Sequence, residues 1–320
     1  ALLAPFMLAA NLNFVVWNAS GLENSLFCFL LAGGMYRLMR ESLEGGRPWS
    51  AVFFFFLCVT RPEGLMYAGL AGMCRLLFIF FPVGADAQRS LMRRLVAVAG
   101  WAAIVLVPFA LYQWWRYTYF GWEFPNTYYA KLGTGRAFKP FAWDRKGWRY
   151  IKSWLLHHGT IGAIPLVLLT MAGFKKKRLL IPLVLMIPLG ILCLWNGRTG
   201  FEDAPEFFSD IQRNWVKIRV WSIAAVIPIV GLLTLGRPGW RGRGVLYLNS
   251  VAGLFLVLYV GGDWMKAHRW FNLISVPMVC LLAVTVRRTL SPLLILIEVF
   301  SSPPYKGMPT TTISRWRKSP

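Results

Sequence analysis

From Leu95 to Trp115 the chain runs for twenty-one residues without one charged side chain. A helix rising about 1.5 Å per residue carries such a run across roughly 30 Å, the thickness of a bilayer's hydrocarbon core. Further apolar runs cover 1–19, 24–39, 51–60, 65–83, 159–174, 179–195, 220–236, 245–260, 272–286 and 291–300. The shorter ones must borrow flanking residues, tilt or break to span. Apolar residues make up 57% of the chain and charged residues 15%, against about half and about a quarter in soluble domains. A water-soluble core with a polar surface cannot be built from that balance, so the sequence predicts an all-α, polytopic membrane protein of about ten transmembrane helices.

The formal net charge of +22 would suggest nucleic acid in a soluble domain. Here the basic residues sit mostly in short links between apolar runs, where membrane lipids are the expected partners and nucleic acid is not. The links 37–47, 89–94, 175–178, 237–243 and 287–288 are short and basic, which assigns them to the cytoplasmic side. Alternation then carries 18–23, 61–64, 116–158, 196–219 and 261–271 to the opposite face. Residues 1–300 read as one transmembrane domain with non-cytoplasmic loops at 116–158 and 196–219, and 301–320 as a short cytoplasmic tail. The expected location is a bacterial inner membrane, crossed many times. The five cysteines lie in or beside apolar runs without CxxC spacing, the pattern of small buried hydrophobes. No metal-ligand set is legible.

Four stretches interrupt the apolar pattern with chemistry. In Trp17-Asn-Ala-Ser-Gly-Leu-Glu23, Ser20 and Glu23 have the spacing of a capping box; Glu23 is equally a substrate-facing carboxylate at a helix end. In Arg61-Pro-Glu-Gly64, Arg61 and Glu63 can compensate each other while Pro62 and Gly64 break the helix, as an interfacial hairpin or as the floor of a polar cavity. The stretch Tyr117–Lys131 is dense in aromatic rings, an interfacial belt in one reading. In another it stacks on a sugar and bonds its hydroxyls through Glu123, Asn126, Tyr128, Tyr129 and Lys131. In Gly261-Gly-Asp-Trp-Met-Lys-Ala-His-Arg269, the groups Asp263, Lys266, His268 and Arg269 cluster beside hydrocarbon. They form either a snorkelling turn or a site for a lipid-borne phosphate.

In this order, Ala19-Ser-Gly-Leu-Glu23, Arg61-Pro-Glu-Gly64, Pro125-Asn-Thr-Tyr-Tyr-Ala-Lys131, Gly261-Gly-Asp263 and Arg269 resemble segments of the GT-C class of integral-membrane glycosyltransferases. The similarity covers roughly residues 1–275 and is greatest to the bacterial branch of terminal arabinofuranosyltransferases. The resemblance implies a GT-C-like fold and transfer of a sugar from a polyprenyl-phosphate donor to an envelope glycan or glycolipid acceptor on the non-cytoplasmic face. Displacement at the anomeric carbon needs a carboxylate base for the acceptor hydroxyl and a cationic site for the leaving phosphate, with or without a divalent metal.

The resemblance assigns Arg269, Lys266 and His268 to the phosphate, and leaves Glu23 and Asp263 as candidate catalytic carboxylates. In that class the usual acid follows the first membrane helix, and this chain reads as beginning after that point, N-terminally truncated. The competing readings are a transporter or flippase of a lipid-linked substrate and a non-catalytic membrane subunit.

Overall fold

The computed structural model describes residues 2–122, 147, 149–151, 153–154, 231–232, 234–235, 238–260 and 268–284. Among these the regular structure is helical. The order is α1 (Leu3–Ala9), α2 (Leu12–Asn18), α3 (Asn24–Glu44), α4 (Trp49–Thr60), α5 (Gly64–Phe80), a 3₁₀ turn (Gly84–Gln88) and α6 (Leu91–Phe120). A second 3₁₀ turn (Pro238–Trp240) leads into α7 (Arg241–Val260), and Phe271–Val284 forms α8.

Local chemistry sets the breaks. Pro62 disfavours helical geometry in the residue before it, and Arg61 is accordingly extended, with φ −152° and ψ 147°. The chain re-enters a helix at Gly64, where an added Cβ would lie 2.1 Å from the Leu57 carbonyl oxygen. Only glycine lets α5 begin so close to α4. At the start of α6 the Ser90 hydroxyl accepts from the Arg93 N–H, and the helix ends on Gly121 at φ +70°, an N-cap and a left-handed C-terminal stop.

Helices α3, α4 and α5 run alternately up and down and form the centre of the fold, with α6 against α4 and α5 and α7 against α3 and α5. Phe27, Leu31, Met35, Leu38, Phe54, Leu57, Tyr67, Cys74, Phe271 and Ile274 fill the core. Phe27 meets Tyr67 edge-on at 5.9 Å, and Phe54 meets Trp101 at 6.0 Å. Gly253 of α7 is the contact point with Ile274 and the Tyr67 hydroxyl; a Cβ there would fall 2.5 and 2.7 Å from them. Cys28, Cys58 and Cys74 are free and buried, and Cys280 is free.

Helix α6 buries only Trp101 and Val105. Most of its other large apolar side chains, Leu95, Val96, Leu106, Val107 and Leu111 among them, are exposed. Arg93 and Arg94 stand at its start, and Trp114, Trp115, Tyr117, Tyr119 and Trp122 at its end. A basic flank at one end and an aromatic girdle at the other match the two borders of a bilayer.

The expectation of about ten transmembrane helices in a GT-C-like fold is corrected by the helices themselves. Among the described residues two are long and apolar enough to cross a membrane, Leu91–Phe120 and Arg241–Val260. The run 1–19 breaks into two seven-residue helices, because Asn11 caps the second by accepting from the Phe14 N–H at 3.3 Å. Helix α3 has 21 residues, but Arg37, Arg40, Glu41 and Glu44 charge its last turns. The runs 51–60 and 65–83 become helices of 12 and 17 residues, about 18 and 26 Å long and so below the hydrocarbon thickness. The runs 159–174, 179–195, most of 220–236 and 291–300 lie outside the described residues.

Two local expectations also differ. Ser20 does not form a capping box with Glu23: its hydroxyl donates to the Trp17 carbonyl, and Glu23 stands at the N-cap of α3 without a side-chain cap bond. Arg241, read as part of a cytoplasmic link, is 1% exposed. Its guanidinium donates to the carbonyls of Leu235, Ser42 and Phe81 and lies over the Phe78 ring at 4.3 Å. Through Ser42 and Phe81 it places a cation at the C-terminal ends of both α3 and α5, where a helix carries partial negative charge.

Candidate functional site

Three helix ends meet where α4 stops and α3 and α5 start. Glu23 and Glu63 are the N-cap residues of α3 and α5, and Arg61 is the C-cap residue of α4. Each charge has the sign its helix end favours: carboxylates at positive N-termini, a guanidinium at a negative C-terminus.

Arg61 ties the three ends together. Its Nη1 donates to Glu23 Oε1 at 2.8 Å and to Asn24 Oδ1 at 3.0 Å, while Nε and Nη2 fork onto the two oxygens of Glu63 at 3.2 and 3.3 Å. Its charge also faces the Trp270 ring at 5.3 Å, within cation–π range. Asn24 is fully buried. The two carboxylates differ: the Glu63 side chain is 12% exposed and the Glu23 side chain 42%. Glu23 is therefore the more accessible of the two carboxylates, and the Arg61 guanidinium fixes its orientation.

The segment 268–272 closes over this junction. Asn18 Nδ2 donates to Asn272 Oδ1 at 3.0 Å and Asn13 Nδ2 to the His268 carbonyl at 3.3 Å, so α2 is pinned to the start of α8. The Cys28 thiol donates to the Asn272 carbonyl at 3.6 Å. The Arg269 guanidinium lies over the Trp17 ring at 5.8 Å. His268 adopts φ +49°, a left-handed conformation that costs a residue with a side chain about 1 kcal/mol or more. Its Nε2 is 3.2 Å from the Ser153 hydroxyl and its ring meets Tyr150 at 5.0 Å. Phe271 stacks on Trp154 at 4.0 Å.

Of the residues singled out in the sequence, the fold brings together Glu23, Arg61 and Glu63, with His268 and Arg269 on the segment above them. Asp263, Lys266, Glu123, Asn126, Tyr128, Tyr129 and Lys131 lie outside the described residues. The sequence reading missed Asn13, Asn24 and Asn272, which are at most 1% exposed. Amides inside or beside apolar runs were the available signal, since a buried amide must find partners. Among the described residues no three His, Cys, Asp or Glu side chains are grouped as a metal would need.

A second polar cluster, also missed, occupies the other end of α3, α4 and α5. Glu41 is 5% exposed. It accepts from the Ser50 N–H at 2.7 Å, the Ser50 hydroxyl at 2.6 Å and Arg75 Nη1 at 2.7 Å. Trp101 Nε1 donates to the same Ser50 hydroxyl at 2.9 Å. The signal was Arg75, a lone charge in the middle of the apolar run 65–83, which burial obliges to have a partner.

Compared with known proteins, the chain matches no family model, and no curated protein and no solved structure is significantly similar to it.

Proposed function

We propose that the chain is a glycosyltransferase of the bacterial inner membrane, moving a sugar from a polyprenyl phosphate to an envelope glycan or glycolipid on the non-cytoplasmic face. The observation that carries this reading is the junction at Arg61. Residues 17–24, 61–63 and 268–272, distant in sequence, supply one half-exposed carboxylate, its orienting guanidinium and a further arginine over the Trp17 ring. These are three of the four stretches on which the resemblance to polyprenyl-phosphate-dependent transferases rests. Two helices long and apolar enough to cross a bilayer are consistent with membrane residence.

In the proposed reaction Glu23 takes the proton of the acceptor hydroxyl as its oxygen forms the new bond to the anomeric carbon. The bond from that carbon to the phosphate oxygen breaks, and the polyprenyl phosphate departs with the electron pair. Arg61 keeps Glu23 aimed, and Arg269 offsets the charge on the leaving phosphate.

The test is radiolabel transfer from a panel of polyprenyl-phosphate sugars to envelope acceptors in membranes containing the full chain. Glu23→Gln is expected to lower turnover about 10²- to 10⁴-fold, the range for loss of a general base, with donor binding retained. Arg269→Ala is expected to weaken donor binding. Transfer that is indifferent to Glu23 overturns the assignment of the base. A second reading, a non-catalytic membrane subunit, is favoured by the Glu23–Arg61 bond, since a pair of opposite charges also serves as a structural clip. No transfer from any donor, with intact folding, moves the weight to that reading.

A further inference from the structure

The end of the bundle opposite the Arg61 junction carries a cleft that the proposed reaction does not use. It is lined by Glu41, Arg75, Asp86, Arg89 and Arg94, with Phe78, Ile79, Ala97 and Val98 as its apolar wall, and is narrow, with a volume of about 30 Å³. The 3₁₀ turn between α5 and α6 forms one side. It packs on α3 so closely that Gly84, at φ +59°, would put a Cβ 2.1 Å from the Leu43 carbonyl oxygen.

The charges in the cleft are unequally answered. Glu41 is saturated by Ser50 and Arg75, and Asp86 is taken by Arg89 at 2.9 Å. Arg94 has no carboxylate partner among the described residues; its Nη1 donates to the Ile79 carbonyl at 2.5 Å. The Nε groups of both Arg75 and Arg94 are buried without an acceptor. With Arg75 answered by Glu41 and Arg89 by Asp86, Arg94 is the guanidinium of the cleft whose charge no carboxylate among the described residues balances. Just outside it, Leu91, Met92, Leu95, Val96, Leu76 and Phe80 are exposed, a surface suited to acyl chains. The links on this side, 37–47 and 89–94, are the basic ones, and anionic lipids lie in the cytoplasmic leaflet to which such links are assigned.

We infer that the mouth of this cleft binds the phosphodiester headgroup of an anionic phospholipid, with Arg94 donating to the phosphate oxygens and the start of α6 covered by the acyl chains. The inference rests on membrane residence and is independent of sugar transfer. Inorganic phosphate offers the same oxygens without the chains, so the two sources separate experimentally.

The full chain is purified into nanodiscs of phosphatidylcholine with or without phosphatidylglycerol, and co-purified lipid and melting temperature are measured. Phosphatidylglycerol should be enriched around the wild type and raise its melting temperature. Arg94→Ala should lower that enrichment about fivefold, the worth of one cation near an anionic surface. Arg93→Ala, which removes an equal charge one residue away and outside the cleft, should leave it nearly unchanged. Asp86→Asn frees Arg89 and should increase enrichment, a gain that misfolding cannot produce. Stabilisation by millimolar inorganic phosphate alone, to the same extent, would assign the cleft to a free anion and overturn the lipid. Equal losses for Arg93→Ala and Arg94→Ala, or no preference over phosphatidylcholine, would reduce the effect to bulk charge and overturn the site.

Discussion

Removing the Arg61 side chain would leave Glu23, Glu63 and Asn24 without their shared donor. Breaking a buried ion pair from one side costs about 3–5 kcal/mol, because the remaining charge stays desolvated. Glu63 is the more enclosed carboxylate and Glu23 the more open one, so the burden falls mainly on Glu63. Thermal melts in detergent are expected to rank Arg61→Ala as most destabilising, Glu63→Gln next and Glu23→Gln least. Arg61→Lys should rescue little, since an ammonium cannot reproduce the fork onto Glu63 while also reaching Glu23 and Asn24. A melt in which Glu23→Gln is the worst of the three would show that Glu23 is held for stability and not for a substrate. Adjacency makes Arg61 and Glu63 obvious partners in the sequence, and they are bonded at 3.2 Å. Nothing in the sequence joins Glu23 to Arg61 across 38 positions, because hydrophobic runs specify helices without specifying which ends meet.

The same asymmetry holds for the elements. The break between α4 and α5 was legible, since Pro62 and Gly64 interrupt the apolar pattern; the bounds of α6 were not, because its Ser90 cap and Gly121 stop lie outside the apolar run 95–115. The status of the helices as membrane spans was not legible either, because length in the sequence is not length in one helix. The first nineteen residues look continuous until the side chain of Asn11 competes for the backbone and starts a second helix. Two glycines of α5 separate packing from propensity. A methyl at Gly64 would meet the Leu57 carbonyl at 2.1 Å, whereas a methyl at Gly69 meets nothing within 4 Å. Gly69→Ala is expected to stabilise the protein by about 0.5–1 kcal/mol through helix propensity. Gly64→Ala should destabilise it by about 1–3 kcal/mol as the α4–α5 hairpin is forced open. Opposite shifts in melting temperature check the pair. Equal shifts would mean that α5 does not start against the end of α4.

For the whole molecule, the two polar clusters set a depth problem. Helix α4, with 12 residues, separates the Ser50 cluster from Arg61 by about 18 Å, well short of a hydrocarbon core of about 30 Å. On the proposed membrane placement, both clusters cannot therefore sit at the borders of an undeformed bilayer; at least one would lie at hydrocarbon depth or thin the membrane around it. The carboxylates of both clusters are accordingly paired with arginines within the protein, since a lone charge at such depth is costly. Helix α6 gives the outer scale. From Arg94 to Trp114 it rises about 30 Å, the thickness of a hydrocarbon core, with basic residues at one end and aromatic ones at the other.

The arrangement predicts that the Arg61 end and the Arg94 end face opposite sides. Single cysteines introduced at Ser20 and Gln88, both exposed, test this in a chain whose Cys193 and Cys280 are serine and whose other cysteines, Cys28, Cys58 and Cys74, are buried. In sealed vesicles of one orientation, an impermeant maleimide should label only one of the two. In vesicles of the opposite orientation it should label only the other. Labelling of both from the same side would place the carboxylate at Glu23 and the cationic cleft in one compartment. It would then remove the assignment of the cleft to cytoplasmic-leaflet lipid and of Glu23 to the outer face together.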